Sequence, residues 1–170
     1  MGADDSLCLW RAYSEEDESL KTESGELKVH ENLLQRFQDE TPTCWDWLYS
    51  NLSFFMVSYT RAYMAIYDHN SGQMVSKFET VQNSEKDYIS QQINNFVCHP
   101  TADVAITGTE DGSWAIYNLS NPKWVKQIVN AHDDGISCVA LSANTTHFYT
   151  GSHDGKIKFW DMRNSKCFGE

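Results

Sequence analysis

A repeated segment constrains the fold of this chain more than any other feature of its 170 residues. The segments ITGTEDGSWAIYNL and YTGSHDGKIKFWDM align without a gap, and they begin 43 residues apart, at positions 106 and 149. A fixed period of this length, in which each copy carries an alternating apolar run, indicates small sheets that follow one another along the chain. We therefore predict an all-β repeat structure.

Each period contains about four short strands. Residues 136–142, ISCVALS, are largely apolar, and the polar turn ANTT separates them from HFYTGS. The sequence HDGK then predicts a tight turn, and polar and apolar residues alternate in KIKFWD, as they do in a half-buried strand. WVKQIV at 124–129 supplies one more strand. Four strands in about 40 residues predict a WD40 β-propeller, here with about three four-stranded blades plus a partial blade.

The most complete copy resembles the WD-repeat family closely. AHDDG followed by GSHDGKIKFWD is similar to the family's glycine-histidine and tryptophan-aspartate signature, with Ala131 in place of the usual glycine. In that family a His, a Ser or Thr, an Asp and a Trp form a hydrogen-bonded structural network. By resemblance, the network here consists of His132, Thr150, Asp154 and Trp160.

The other copies keep only part of this network. The copy at 106–119 has a tyrosine at the tryptophan position and no obvious turn histidine, and the copy at 56–68 keeps only the aromatic. The opening residues keep the aspartate and the tryptophan. The network positions retained in the copies at 106–119 and 1–12 are Thr107, Asp111, Tyr117, Asp4 and Trp10.

The ordered series of motifs narrows the resemblance to the striatin family, in its C-terminal WD-repeat region. The run INNFVCHPTADVAITGTEDGSWAIYNL, the ending AIYDHNSGQMV and the pairing of AHDDGISCVAL with GSHDGKIKFWD carry it, over about residues 43–167. Striatins are regulatory subunits of protein phosphatase 2A and organise a complex that also holds kinases of the sterile-20 type. The resemblance therefore implies a non-catalytic protein-interaction scaffold with protein partners. Because the phosphatase contact in that family is attributed chiefly to a coiled coil, and no sustained heptad occurs here, that contact is not placed on these residues.

The chain is expected to be a fragment, an open arc of a larger propeller, because propellers need at least four blades to close. Its opening residues are expected to end a truncated blade, and a polar, acidic insertion follows them. The predicted units are 1–12 (truncated blade), 13–32 (insertion loop), 33–78 (degenerate blade), 79–119 (blade) and 120–170 (blade with the intact network, truncated at its end).

Charge and composition exclude several classes of partner. The net charge is −11, and residues 1–40 alone carry 11 acidic and 4 basic side chains, so no basic stripe is available for nucleic acid. No apolar run approaches the roughly 20 residues that cross a membrane, so membrane insertion is not expected. The five cysteines are widely spaced, as in a reduced, cytoplasmic protein.

The motifs of enzymes and metal sites are missing from the sequence. The six histidines form no HExxH or comparable pair, and no CxxC occurs. The sequences GTEDG and GSHDG are turns between strands, and no helix follows them to cradle a phosphate. We expect no catalytic residue, no metal and no cofactor.

Aromatic side chains that interrupt the core pattern are the candidate partner contacts. Trp45 and Trp47 lie two residues apart and so share one face of a strand, where packing between blades is the competing interpretation. Trp114 follows the turn sequence EDGS and is expected to be exposed, and Trp124 opens a strand after a proline. Arg61 stands where a turn aspartate is expected, and it either pairs with a partner carboxylate or is solvated.

Two other functions stay open at this point. One is a different WD-repeat adaptor, such as a ubiquitin-ligase substrate receptor or a trafficking component. The other is an enzyme built on a propeller, for which the sequence offers no cluster of spaced carboxylates or histidines.

Overall fold

The computed structural model describes residues 6–10, 31–36, 41–79, 92–121 and 123–170. The chain divides into two units, Met1–Asp39 and Glu40–Glu170. The first unit contains two antiparallel strands, β1 (Ser6–Trp10) and β2 (Glu31–Arg36), which pair with an irregular register near the end of β1. Asp4, the side chain of Trp10 and nearly all of the predicted insertion 13–32 lie outside the described residues.

The second unit consists of three four-stranded sheets, each with its strands in chain order and antiparallel throughout. This architecture confirms the predicted all-β fold with three four-stranded blades. The strands are β3 (Pro42–Trp47), β4 (Phe54–Tyr59), β5 (Tyr63–Asp68) and β6 (Met74–Glu79) in the first sheet, β7 (Ile93–Cys98), β8 (Val104–Thr109), β9 (Trp114–Asn118) and β10 (Lys123–Ile128) in the second, and β11 (Ile136–Leu141), β12 (His147–Ser152), β13 (Ile157–Asp161) and β14 (Cys167–Gly169) in the third.

The sheets begin and end at positions that differ from the predicted units. Strand β10 pairs with β9 and so completes the second sheet, although the predicted third unit began at residue 120. Residues 33–36 lie in β2, which pairs with β1, whereas the predicted degenerate blade began at residue 33. The reason is that one sequence repeat contains the last strand of one sheet and the first three strands of the next.

Two apolar clusters hold the three sheets side by side. One cluster joins the first and second sheets, with side chains such as Met64 and Phe78 against Ile93 and Phe96. The other joins the second and third sheets, and its largest members are Trp114, Phe148 and Trp160. Full burial of a large apolar side chain stabilises a protein by roughly 1.5–3 kcal/mol, so these clusters supply the main driving force for stacking.

The turn between the second and third strands of each four-stranded sheet contains a residue in the left-handed backbone conformation. Gly112 has φ 77° and Gly155 has φ 81°, and Ala62 takes the corresponding place in the first sheet with φ 58°. A glycine adopts this conformation without the clash that a Cβ atom causes. The Gly112 turn also lies against residues 129–135, the entry segment that leads into the third sheet. The amide of His132 in this segment donates to the Gly112 carbonyl at 2.9 Å.

This packing makes the two turn glycines a matched pair for mutation. Gly112→Ala is expected to lower the free energy of unfolding by about 3 kcal/mol, because a Cβ there would lie 2.5 Å from the carbonyl oxygen of His132 as well as being strained at φ +77°. Gly155→Ala carries the same backbone strain with nothing within 4 Å, so its expected cost is about 1 kcal/mol. Urea unfolding measures both, and equal losses would contradict the packing at Gly112.

Candidate functional site: the polar network and the exposed surface

The structure brings His132, Thr150, Asp154 and Trp160 together in one hydrogen-bonded chain. The indole Nε1 of Trp160 donates to Thr150 Oγ1 at 2.8 Å. Thr150 Oγ1 lies 2.7 Å from His132 Nε2, and His132 Nδ1 lies 2.9 Å from Asp154 Oδ2. Since an ionised carboxylate only accepts, Nδ1 of His132 donates to Asp154, and Nε2 of a neutral imidazole then accepts the Thr150 hydroxyl proton. Each of the four side chains therefore has a hydrogen-bond partner within the network.

Asp154 is the terminal acceptor of this chain. Its carboxylate also accepts the amides of Lys156 at 2.9 Å and Asp133 at 3.1 Å. Burial alone would raise the pKa of Asp154, but the hydrogen bonds from the Lys156 amide, His132 and the Asp133 amide outweigh it and hold the pKa well below its usual range. The aspartate therefore stays ionised and fixes both the turn and the histidine tautomer.

The second sheet closes its turn without a histidine. Asp111 accepts from Thr109 Oγ1 at 2.6 Å, from Ser113 Oγ at 2.8 Å and from the Ser113 amide at 3.0 Å. Thr107 is fully buried and its hydroxyl donates to the Ala115 carbonyl at 3.4 Å. Thr109 and Ser113 were not predicted, although hydroxyl residues on both sides of the EDG turn are visible in the sequence.

Tyr117 is buried at the position that Trp160 has in the third sheet. It packs against Trp124, with ring centroids 6.1 Å apart, and burial raises the pKa of its phenol. Both rings belong to the apolar cluster between the first and second sheets. Trp124 is half-buried, so only part of its surface is open to a partner.

Polar side chains on the first strand of one sheet reach the first strand of the next. Thr43 Oγ1 donates to the Ile93 carbonyl at 2.6 Å, and Asn94 Nδ2 donates to the Ile136 carbonyl at 3.2 Å. Thr43 and Asn94 occupy the second position of β3 and β7, and each contacts the first residue of the following sheet's first strand. The same polar link thus recurs at both junctions.

Three further polar links cross the junctions. The Cys98 amide donates to Asp46 Oδ2 at 2.9 Å, and the Val139 amide donates to Asn95 Oδ1 at 2.9 Å. His99 Nδ1 accepts the Ala102 amide at 2.8 Å, so its Nε2 carries the proton and donates to the Thr145 carbonyl at 3.3 Å. These side chains were not predicted, because their partners lie 44 to 52 residues away in the sequence.

Trp114 is fully buried, and the prediction of an exposed partner contact was wrong. Its ring packs edge-on against Phe148 at 4.8 Å and against Trp160 at 5.3 Å. The first residue of β9 points toward the third sheet, so the indole fills the junction between the sheets. Trp114 therefore contributes to stability and is not available to a partner.

Trp45 and Arg61 are the candidate contacts that the structure leaves open to solvent. Trp45 is 43% exposed, and its ring lies edge-on to Trp47 at 6.2 Å. Trp47 is half-buried and contacts Phe55 at 6.0 Å, so packing accounts for much of its surface. Arg61 is exposed in the turn between β4 and β5.

Within the described ranges, no group of His, Cys, Asp and Glu side chains is placed to hold a metal ion. The same ranges contain no helix that is long and apolar enough to span a bilayer.

Comparison with known proteins agrees with this geometry. Residues 123–161 match the family model "WD domain, G-beta repeat", a span that runs from β10 through β13. Striatin of Mus musculus is 29% identical over 129 residues, and striatin-3 of Bos taurus is 28% identical over 129 residues. The chain therefore contains a WD repeat and is similar in sequence to the striatins. Each alignment covers 76% of this chain and 16% of the relative, so the chain spans about a sixth of those proteins.

Solved structures support the WD-repeat fold. A crystal structure of RRP9 WD40 repeats superposes with a TM-score of 0.67 at 15% identity, over 79% of this chain and 39% of that one. The structure of U3-55K gives the same TM-score and identity, over 79% of this chain and 40% of its own. At this identity the likeness concerns the fold alone. The predicted resemblance to striatin WD repeats is confirmed by the sequence relatives.

The central hydroxyl of the WD-repeat network offers a test of its structural role. Thr150→Val is expected to lower the free energy of unfolding by about 2–4 kcal/mol, because the buried Trp160 N–H and His132 nitrogen both lose their partner. Thr150→Ser keeps the hydroxyl and removes one methyl group, so about 1 kcal/mol is expected. Urea unfolding at pH 7 compares the two; a serine variant as unstable as the valine variant would contradict the hydrogen-bonded role.

Proposed function

We propose that this chain is a non-catalytic protein-interaction scaffold, in which stacked WD-repeat blades hold surface loops in fixed positions for other proteins. The observation that carries the proposal is the hydrogen bonding of two buried histidines and their neighbours within the blades and across one junction. His132, Asp154 and Thr150 are bound to one another and to Trp160, and His99 is bound to its own turn and to Thr145. These groups stabilise the blades and their junctions, which is the role a rigid platform requires.

The sequence similarity to striatins supports a narrower proposal. We propose that the chain acts within a regulatory complex of protein phosphatase 2A, together with kinases of the sterile-20 type, as the striatin resemblance implies. The chain contributes the platform and not the phosphatase contact itself. A cytoplasmic location belongs to the same proposal, and the free thiols of Cys44, Cys98, Cys138 and Cys167 support it.

The partner contacts are proposed first at Trp45 and Arg61. An exposed tryptophan supplies a large rigid contact surface, and an exposed arginine forms bidentate hydrogen bonds with carboxylates. Trp47 and Trp124 are secondary candidates, because each already packs against a neighbouring ring.

Affinity capture of the chain from the cells that express it, quantified by mass spectrometry, tests this function. Sterile-20-type kinases, and phosphatase 2A subunits carried with them in the same complex, are expected to be enriched with the wild-type chain, and their recovery is expected to fall about tenfold with Trp45→Ala. Leu52→Ala, at another exposed apolar residue, serves as the matched control and is expected to keep full recovery. Circular dichroism verifies that both variants are folded.

Other outcomes separate the alternatives. Enrichment of ubiquitin-ligase subunits or of coat components, in place of the phosphatase, would favour the second candidate, a different WD-repeat adaptor. Capture of no protein above background would contradict the scaffold function.

A further inference from the structure

The outermost strand of the second sheet, β10, has one free edge. The sheet order is β10-β9-β8-β7, so β10 pairs with β9 on one side, and no described strand pairs with its other side. A free edge presents unpaired backbone N–H and C=O groups, which form hydrogen bonds with any extended segment that fits beside it.

Strands β6, β10 and β14 are the last strands of the three four-stranded sheets. Of these, β10 is the best suited to receive such a segment. Strand β14 has only three residues. In β6 the ammonium of Lys77 lies 4.1 Å above the Tyr63 ring, so that charge already has a partner. Strand β10 has six residues; Val125 within it is 62% exposed and Val129, the residue after it, is 52% exposed.

The register of β10 explains why Val125 faces outward. The pairing with β9 shifts between Trp124 and Lys126, which leaves Val125 as an extra residue. A β-bulge of this kind redirects the side chain of the extra residue. Trp124 packs against Tyr117 and anchors the strand to the core, while the neighbouring valine is presented to solvent.

The charge along β10 is opposite to that of the whole chain. The net charge is −11, yet residues 119–130, LSNPKWVKQIVN, contain Lys123 and Lys126 and no Asp or Glu. In the described part of the chain neither lysine forms an ion pair; Lys126 Nζ donates only to the carbonyl of Asn164, at 3.3 Å. Both positive charges are therefore available to an acidic partner.

We propose that the free edge of β10 binds an extended, acidic segment of a partner protein by strand addition. Backbone hydrogen bonds supply the pairing, Val125 contacts an apolar residue of the segment, and Lys123 and Lys126 pair with its carboxylates. The same lysines oppose pairing of β10 with a second copy of itself, because like charges would face each other. This proposal rests on the scaffold function and names the partner chemistry of one of its surfaces.

A synthetic peptide tests the proposal on the complete chain. The probe is Ac-Glu-Val-Thr-Val-Asp-Val-Glu-NH2, titrated into the isotope-labelled protein while amide NMR shifts are recorded. The largest shifts are expected in β10 and the adjoining β9, and affinity is expected to fall as salt increases. A peptide with Lys at the three acidic positions is expected to bind at least about tenfold more weakly.

Variants on two edge strands provide the matched comparison. Val125→Asp and Lys126→Glu are expected to weaken peptide binding about tenfold, whereas Val75→Asp, at a 58% exposed valine in β6, is expected to leave it unchanged. N-methylation of alternate peptide amides, on the side that faces β10, is expected to abolish binding, because strand addition needs those donors.

Several results would overturn the proposal. Shifts centred outside β10, or no shifts at millimolar peptide, would show that the peptide does not bind this edge. Equal binding of the lysine peptide would contradict the preference for acidic segments, and insensitivity to N-methylation would contradict backbone pairing. Dimerisation through β10 that Lys126→Glu leaves intact would show that the edge binds a second copy of the chain. Capture of phosphatase or kinase subunits by the Val125→Asp chain would show that the scaffold function stands even if this edge has no role in it.

Discussion

Contact between neighbouring sheets is the constraint on which the rest of this structure depends. A four-stranded sheet has two faces and cannot bury either one alone. The second sheet solves this on both sides with alternating residues: Ala105 and Ala115 face the first sheet, and Ile106 and Ile116 face the third. Because successive residues of a strand point to opposite faces, one strand serves two junctions, and the buried positions of β8 and β9 are restricted in size on both faces.

The polar groups follow from the same constraint. Stacked sheets bring strand backbones and turn residues close together, and each buried donor or acceptor then needs a partner. Thr43, Asn94 and Asn95 satisfy backbone groups of the next sheet, while the network of His132 and its partners ties the third sheet's entry segment to its turn. The proposed partner contacts, at Trp45, Arg61 and the edge of β10, lie instead at the accessible surface.

The sequence was informative where the physical cause is local and repeated. The turn glycines and the alternating strand KIKFWD predicted three four-stranded blades, because turn chemistry and period-two alternation act within a few residues. Trp114 was misjudged because alternation alone does not say which face of a strand meets a neighbouring sheet. The links from Asn95 to Val139 and from Asp46 to Cys98 were not foreseeable, since they depend on how two sheets dock.

Hydrogen exchange of a junction variant tests whether neighbouring sheets stabilise each other. Trp114→Ala removes the largest fully buried side chain from the junction between the second and third sheets. Amide protection is expected to fall in β11–β13 as well as in β7–β10, with Trp124→Ala, toward the first sheet, as a control that leaves β11–β13 protected. Wild-type protection of β11–β13 in the Trp114→Ala chain would contradict the account.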